Sequence, residues 1–328
     1  MVRGAAAVAS HALTCSRLVL PVQPALVTAP PEPSRPATRA SSRSGERASS
    51  ASVGASSPVR FVRGVIASVS VPSDHQAIVS RLAGAGFVAA QAEADELLAC
   101  TAGDLGLLAS LVERRLTGEP LAWITGTTSF CGLEIRVDPG VYVPRWQSEA
   151  LALRACERLP VNGAAIDLCT GSGAIAKALI ADRPGARVVA SDIDERAVAC
   201  ARANGVEVYG GDLFTPLPRT LEGRVDVVVG VLPYVPTPEL ALLQRDTLAF
   251  ESPLSYDGGG DGTKVLRRAL VESPRFLRRG GALLLELGGE QADVLGDDLA
   301  RLGPRDVTIL SDEDGDVRGI EIALGEQC

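Results

Sequence analysis

Apolar residues follow two different spacings in the part of the chain that begins near Ser73. Between Ser73 and Pro120 they recur at positions i, i+3 and i+4, and the runs begin at Asp or Ser and end at Gly. This spacing predicts helices, and we assign a small helical domain to residues 65–126. Residues 129–145, SFCGLEIRVDPGVYVPR, then alternate between apolar and polar and contain Asp-Pro-Gly. Alternation with such a turn predicts a β-hairpin, so residues 127–146 are expected to link two domains.

Helical and strand patterns alternate after residue 147. This alternation predicts an α/β domain over residues 147–328, built on a doubly wound, mostly parallel sheet of seven strands. The last two strands, DVTIL and GIEIAL, are joined by an acidic turn and should add one antiparallel strand at the edge of the sheet. Ligands of such sheets bind at the carboxyl ends of the strands. The other predicted strands are 164–168, 187–191, 206–209, 225–230 and 282–287, and the predicted helices are 148–158, 173–181, 194–203, 263–278 and 289–301.

Residues 1–64 are rich in Ala, Ser, Pro and Arg and follow neither spacing, so we expect them to be disordered. Lys occurs twice in the chain against 30 Arg, and Met occurs only at position 1. This usage is typical of a GC-rich gene and favours a spurious extension from a start assigned too early. The Arg- and Ser-rich composition also resembles an organellar targeting segment, and a functional tail is the third alternative.

The composition is that of an acidic globular chain of 328 residues, 46% apolar and 22% charged. The net charge is −8, and because residues 1–60 hold seven Arg and two Glu, the remainder carries about −13, which disfavours general nucleic-acid binding. Seven Cys without a CxxC pair favour reduced thiols and a cytoplasmic location.

The two His, His11 and His75, precede the Gly-rich turn described below, so we expect neither a His base nor a metal there. The chain has no run of 18 apolar residues, and we expect no membrane association.

The first strand of the predicted α/β domain leads into the strongest candidate site. Residues 165–176 read AIDLCTGSGAIA, which is a strand, a glycine-containing turn and the start of a helix. The glycines let a ligand approach the main chain closely. Asp192 ends the next predicted strand, 19 residues after Gly173, where a carboxylate can accept both hydroxyls of a ribose. In the later stretch GDLF, Asp212 is placed to accept from an adenine amino group and Leu213 to pack on the ring.

Two kinds of ligand suit this turn. Gly171, Gly173 and Ala176 satisfy the loose fingerprint of dinucleotide-binding turns, as in a nicotinamide-dependent oxidoreductase. Asp167, however, lies at the end of the strand just before the glycines, where its carboxylate would repel a pyrophosphate. That placement favours a cationic ligand such as S-adenosylmethionine. A plain strand-to-helix turn without a ligand is the third alternative.

Several motifs in one order resemble the HemK/PrmC-type methyltransferases, which modify the glutamine of the Gly-Gly-Gln motif in peptide chain release factors. The likeness spans roughly residues 75–325 and implies a class I S-adenosylmethionine-dependent, Rossmann-like fold with an N-terminal helical domain for substrate recognition. It also implies a release factor as the partner of a monomeric, cytoplasmic bacterial enzyme that does not bind nucleic acid directly. The motifs are RRLTGEPLAWITGTTSF, VDPGVYVPRWQSE, DLCTGSGAIA, VVASDID, GDLF, LPYVP, FESPLSYDGGGDG and LLLELGGEQ.

The resemblance also assigns roles to residues of the Gly-rich turn. It implies that Asp192 holds the ribose of the cofactor and that Leu213 lies by its adenine. Asp167 and Asp212 belong to the same predicted cofactor site. Asp167 favours a cationic ligand, and Asp212 is placed to accept from the adenine amino group. The residues implied to wrap the methionine part are Cys169, Thr170, Gly171, Ser172 and Gly173.

The resemblance fails at the family's substrate motif, Asn-Pro-Pro-Tyr, where this chain has Val231, Leu232, Pro233 and Tyr234. The Asn oxygen and the next backbone carbonyl can each accept one N–H of the substrate amide. Val231 has no acceptor, and a buried N–H left unpaired costs roughly 1–3 kcal/mol. Three outcomes stay open: a slow enzyme in which other carbonyls compensate, an enzyme with a changed substrate, or a noncatalytic relic that binds the cofactor. An adenine N6 methyltransferase is the nearest enzymatic alternative, although a basic, aromatic-rich surface would be expected for it.

Overall fold

The structure, a computed structural model, describes residues 75–243, 249–289, 291–301, 305–312 and 315–325. The disordered extension predicted for residues 1–64 lies outside the described residues. None of the helices in the described ranges is both long enough and apolar enough to cross a membrane.

In the part of the chain that the structure describes, four helices come first and enclose a small core of their own, which includes Ile78 and Leu97. Asp104 caps the third helix, because its Oδ1 accepts hydrogen bonds from the backbone N–H groups of Gly106 at 2.9 Å and Leu107 at 3.0 Å. The apolar spacing over residues 73–120 therefore predicted the first three helices correctly, and the short fourth helix lies beyond that pattern. Their bounds are α1 His75–Gly84, α2 Ala90–Thr101, α3 Leu105–Leu116 and α4 Leu121–Thr125.

The hairpin that follows turns at a different place from the one predicted. Strands β1, Thr127–Phe130, and β2, Leu133–Arg136, pair antiparallel across Cys131 and Gly132. These two residues have φ angles of +49° and +72°, as a type I′ turn requires, and the twist of that turn matches the twist of paired strands. The Asp-Pro-Gly sequence forms a later turn in which Gly140 has φ +86°. Proline followed by such a glycine is typical of type II turns, which splay paired strands, so Asp-Pro-Gly does not close the hairpin.

Among the described residues, seven strands form the main sheet. They are β3 Ala164–Leu168, β4 Arg187–Asp192, β5 Glu207–Gly210, β6 Val225–Gly230, β7 Leu277–Glu286, β8 Arg305–Ser311 and β9 Val317–Leu324. Their order is β5-β4-β3-β6-β7-β9-β8, and every pair from β5 to β7 is parallel. The predicted mostly parallel sheet is confirmed.

The position of the antiparallel strand differs from the prediction. Strand β9 runs antiparallel to both of its neighbours and lies inside the sheet, whereas β8 takes the edge. The burial of the side chains explains this order. Ile320 and Ile322 of β9 are buried, while Val307 and Ile309 of β8 are 43% exposed.

The bounds of six more α-helices lie within the described residues. They are α5 Glu149–Arg158, α6 Ala174–Asp182, α7 Glu195–Ala203, α8 Lys264–Glu272, α9 Gln291–Val294 and α10 Gly296–Arg301. The helix predicted over 263–278 is too long, because Pro274 has no N–H to continue it and β7 begins at Leu277. The helix predicted over 289–301 is divided into α9 and α10.

Helices pack on both faces of the sheet, which leaves the carboxyl ends of its strands as the place for a site. Helices α5, α6 and α7 share one core with the hairpin and with Val227 and Val229 of β6. Helix α8 packs on the opposite face, where β6 contributes Val228. Burial on both faces explains the uninterrupted apolar run before Gly230. The chain runs from β3 to β4 and β5 on one side and returns to β6 on the other, so a crevice is expected at the carboxyl ends of β3 and β6.

Candidate active site

The turn after β3 has a backbone that few side chains tolerate. Cys169, Gly171 and Gly173 have φ angles of +52°, +56° and +84°. A Cβ at Gly173 would lie 3.0 Å from Cγ2 of Val206 and 3.1 Å from Cβ of Ala201. Gly173 is therefore required by both torsion and space, and the turn brings its backbone to the carboxyl end of the sheet.

Asp167 lies beneath this turn and is 1% exposed. Its Oδ2 accepts a hydrogen bond from the Thr170 hydroxyl at 2.6 Å and one from the Ala176 backbone N–H at 3.1 Å. Burial raises the pKa of Asp167 to about 7, because the charged form loses its hydration. A cation beside this carboxylate would offset that cost.

Asp192 ends β4 and closes the other side of the turn. Its two oxygens accept hydrogen bonds from the backbone N–H groups of Gly171 at 2.8 Å and Asp194 at 2.9 Å. Burial raises the pKa of Asp192 as well. Within the described residues neither Asp167 nor Asp192 forms an ion pair, so one buried and one partly buried carboxylate flank the glycines with only neutral donors beside them.

A cavity opens on this turn at the carboxyl end of the sheet. Its apolar lining includes Phe130, Ile193 and Ala197, which offer surface to a flat ring system. Acidic groups against apolar walls fit S-adenosylmethionine, which joins a positively charged sulfonium to an adenosine. The predicted cofactor residues in the lining are Asp167, Cys169, Thr170, Gly171, Ser172 and Asp192.

Three predicted cofactor residues lie elsewhere. Among the described residues, Gly173, Asp212 and Leu213 are not part of the cavity lining. The Asp212 carboxylate is bound by Nη1 of Arg268 at 2.9 and 3.0 Å. Leu213 has φ +46° and is buried in the core on the α8 side of the sheet. The adenine contacts assigned to Asp212 and Leu213 stay predictions.

The four residues of the altered motif follow β6 and divide between cavity and core. Val231 and Pro233 line the cavity beside the glycine turn. The Leu232 side chain is 1% exposed and packs in the core on the α8 side. The Tyr234 carbonyl accepts a hydrogen bond from the Gln291 side chain, which ties the motif to α9. The motif therefore meets the predicted cofactor turn in one cavity.

Glu286 ends β7 and is a buried carboxylate that the sequence alone did not single out. Its Oε2 accepts from the Ser148 hydroxyl at 2.6 Å, and its Oε1 accepts from the Tyr234 hydroxyl at 3.2 Å. Burial raises the pKa of Glu286. The signal in the sequence was a single acid at the end of the apolar run ALLLE, the same pattern that marked Asp167.

A second cavity adjoins the first, because Tyr142 lines both. Its wall is stabilised by Glu251, which is 2% exposed. The Glu251 carboxylate accepts from the Val143 backbone N–H at 2.9 Å and from Nη2 of Arg145 at 2.8 Å, and it also accepts from the Tyr256 hydroxyl. No local pattern identified this cluster, since it joins residues more than a hundred positions apart.

Comparisons with known proteins agree with this geometry. Residues 133–216 match the family described as "MTS: Methyltransferase small domain". A release factor glutamine methyltransferase from Geobacter sulfurreducens is 36% identical over 227 residues, covering 67% of this chain and 76% of that protein. One from Neisseria gonorrhoeae is 37% identical over 209 residues, covering 62% and 76%. One from Moorella thermoacetica is 37% identical over 250 residues, covering 68% and 87%.

Proposed function

Because this chain belongs to the release factor glutamine methyltransferase family, we propose that it methylates the side-chain amide nitrogen of the Gly-Gly-Gln glutamine in a peptide chain release factor, with S-adenosylmethionine as methyl donor. One observation carries the proposal for this chain. The turn flanked by Asp167 and Asp192 opens on a cavity that is also lined by Val231 and Pro233. A site suited to a cationic donor and the altered amide-binding motif thus share one space.

The residues around the glycine turn would hold the methyl donor. The charges of Asp167 and Asp192 favour a positively charged ligand, and the glycines allow close approach to the backbone. When bound, S-adenosylmethionine supplies an electrophilic methyl group: the N–C bond forms as the S–C bond breaks, the electron pair stays on sulfur, and the amide nitrogen loses a proton to solvent. The proposed cofactor residues are Asp167, Cys169, Thr170, Gly171, Ser172, Gly173, Asp192, Asp212 and Leu213.

The residues after β6 would orient the substrate amide. An amide nitrogen is a poor nucleophile, because its lone pair is delocalised into the carbonyl, so orientation contributes much of the rate. The Leu232 carbonyl is available to accept one N–H, Pro233 fixes the backbone, and the Tyr234 ring offers a face to the planar amide. The Val231 side chain has no acceptor. If that loss resembles removal of one oxyanion-hole donor, the rate falls on the order of 10²–10³ unless another group accepts the second N–H.

The deciding experiment incubates the full chain with a Gly-Gly-Gln release factor and S-adenosylmethionine carrying a labelled methyl group. We expect label on the native factor and none on a factor whose motif glutamine is replaced by alanine. Transfer by Val231→Asn but not by the native chain would instead favour a noncatalytic relic. Transfer by neither chain, despite cofactor binding, would indicate a changed substrate.

The choice of cofactor has its own test. Calorimetry with S-adenosylhomocysteine and with NAD separates the methyltransferase from a nicotinamide-dependent oxidoreductase. We expect binding of S-adenosylhomocysteine alone, since Asp167 at the strand end disfavours a pyrophosphate. Binding of NAD alone would overturn the proposal.

Three further properties follow from the proposed function. Residues 65–126 are proposed to recognise the release factor, an assignment supported by the separate core of α1 to α4. The hairpin region, residues 127–146, would join that part to the catalytic part at 147–328. The chain is expected to act as a cytoplasmic monomer without direct contact to nucleic acid, in keeping with its acidic charge.

A further inference from the structure

Val231 directly follows β6 and Glu286 is the last residue of β7, so both lie at the same edge of the sheet. Strands β6 and β7 are parallel, and Gly230 is the partner of Leu285 in their register. After this pair come Val231, just beyond the end of β6, and Glu286, the last residue of β7. The position whose side chain lacks an acceptor therefore lies beyond the last paired residue of β6, next to the end of β7 that has the carboxylate.

The two side chains also belong to the same face of the sheet. Side chains two positions apart on a strand point to the same side. Two positions before Val231 and Glu286 are Val229 and Leu284, and both belong to the core shared with α5, α6 and α7. Glu286 accordingly hydrogen-bonds to Ser148, which directly precedes α5. The carboxylate thus lies on the face where an asparagine at position 231 would present its amide.

Glu286 has acceptor capacity to spare. An ionised carboxylate offers about four acceptor sites. In the described residues it accepts one hydrogen bond from Ser148 and one from Tyr234, and it forms no ion pair there. The 3.2 Å bond from the Tyr234 hydroxyl is long for an O–H donor. A further N–H donor can be accommodated without breaking either contact.

Glu286 also lies where the two cavities meet. It lines the second cavity together with Tyr234, while its hydrogen-bond partner Ser148 lines the first together with Val231. Tyr142 lines both. A substrate amide bound at the altered motif therefore lies near the boundary between the two cavities, which is where the Glu286 carboxylate is.

We propose that the Glu286 carboxylate accepts the amide N–H that residue 231 cannot accept, so that it replaces the motif asparagine in binding the substrate glutamine. The inference rests on the proposed function. The Leu232 carbonyl takes the other N–H. A hydrogen bond to an ionised acceptor is roughly twice as strong as a neutral one, so the replacement is chemically sufficient.

A double-mutant cycle on methyl transfer tests the replacement. Glu286→Leu removes the acceptor at similar volume and is expected to lower kcat/KM on the order of 10². Val231→Asn should change the native chain by less than about threefold, yet raise the Glu286→Leu chain at least about tenfold, because the two acceptors substitute for each other. Equal effects of Val231→Asn in both backgrounds would overturn the inference. Binding of S-adenosylhomocysteine, which should be unchanged, verifies that each variant is folded.

Two controls distinguish a direct contact between Glu286 and the substrate from an indirect effect of Glu286 through the Tyr234 hydroxyl. Ser148→Ala removes one donor to Glu286 but leaves the carboxylate, so it should lower transfer much less than Glu286→Leu does. In a Tyr234→Phe background, Glu286→Leu should still lower transfer on the order of 10². Loss of that effect would show that Glu286 acts only through the tyrosine hydroxyl, and the inference would be wrong.

A spectroscopic measurement requires no turnover. In a complex of the chain with S-adenosylhomocysteine and a release factor labelled with ¹⁵N at glutamine, one side-chain N–H of the motif glutamine should shift downfield with native protein and not with Glu286→Leu. Equal shifts would contradict the contact.

If no chain, including Val231→Asn, transfers methyl, the proposed function itself fails. If Val231→Asn transfers and the native chain does not, only the replacement by Glu286 fails.

Discussion

Asp167 is the residue whose ionisation should report directly on the charge of the methyl donor. Its pKa is raised to about 7, so it becomes protonated as the pH falls from about 8 to about 6, and a sulfonium beside it favours the ionised form. The affinity for S-adenosylmethionine should therefore fall over this range, whereas the affinity for uncharged-sulfur S-adenosylhomocysteine should change less. Calorimetry with both ligands measures the difference, and Asp167→Asn should abolish it. An equal pH dependence of the two affinities would show that Asp167 does not sense the sulfonium.

Gly173 and Gly171 form a matched pair for testing the strain in the turn. Alanine at either position must adopt positive φ, at roughly 1–2 kcal/mol. Only at Gly173 does the new Cβ meet Val206 and Ala201, whereas at Gly171 nothing lies within 4 Å. Gly173→Ala should therefore lower the free energy of unfolding by about 1–3 kcal/mol more than Gly171→Ala. Urea denaturation of both variants checks this, and equal losses would mean that the neighbours of Gly173 yield freely.

The roles of single residues were predictable from the sequence only where they depend on neighbours along the chain. Asp167 and Asp192 were predicted because each ends an apolar strand next to a glycine turn or a helix start. Glu286 has the same local pattern, but its relation to Val231 depends on the register of two strands more than fifty residues apart. No local pattern contains that register.

At the level of elements, the C-terminal hairpin offers a direct test of which strand lies inside the sheet. Ile320 of β9 is fully buried, and Ile309 of β8 is its partner across the hairpin but 43% exposed. Ile320→Ala should lower the free energy of unfolding by about 2–5 kcal/mol, and Ile309→Ala by less than about 1 kcal/mol. Chemical denaturation of the two variants provides the comparison. A larger loss at Ile309 would place β8 inside the sheet.

The sequence predicted best those elements in which a single hydrophobic spacing, that of a helix or that of a strand, continues from one end to the other. Helices α5 to α7 and strands β3 to β6 have such periods, and their predicted bounds agree within one or two residues. The errors occur where tertiary packing decides. Cys131 adopts positive φ although side chains disfavour it, and β9, whose Ile320 and Ile322 are buried, takes the inner position while β8 takes the edge.

At the level of the whole molecule, the location of the site follows from the alternation of strands and helices. That alternation requires crossovers, and the reversal of strand order beside β3 brings the glycine turn and the altered motif to one edge. The second cavity does not follow from any such rule. Its wall joins the segment before α5 to the loop after β6 through Arg145, Glu251 and Tyr256, and contacts of this range arise only in the folded chain.

Tyr234 of the altered motif lines the second cavity together with Arg145, so we assign that cavity to the substrate and the first to the cofactor. The ion pair between Arg145 and Glu251 should then support the substrate side of the site more than the cofactor side. Arg145→Met leaves a buried carboxylate without its cation, and since the Arg145 side chain is 41% exposed, we expect a loss of about 1–3 kcal/mol in the free energy of unfolding. Arg301→Met, at a pair whose arginine is 75% exposed, is the control and should cost less than about 1 kcal/mol.

The same substitution should distinguish the two cavities in function. Arg145 lines the second cavity and, within the described residues, is not part of the lining of the first. Arg145→Met should therefore raise the KM for the release factor severalfold while the affinity for S-adenosylhomocysteine stays the same. Adding Glu251→Gln should recover part of the lost stability, because the uncompensated charge is then removed. A loss of cofactor affinity with an unchanged KM for the release factor would reverse the assignment of the two cavities.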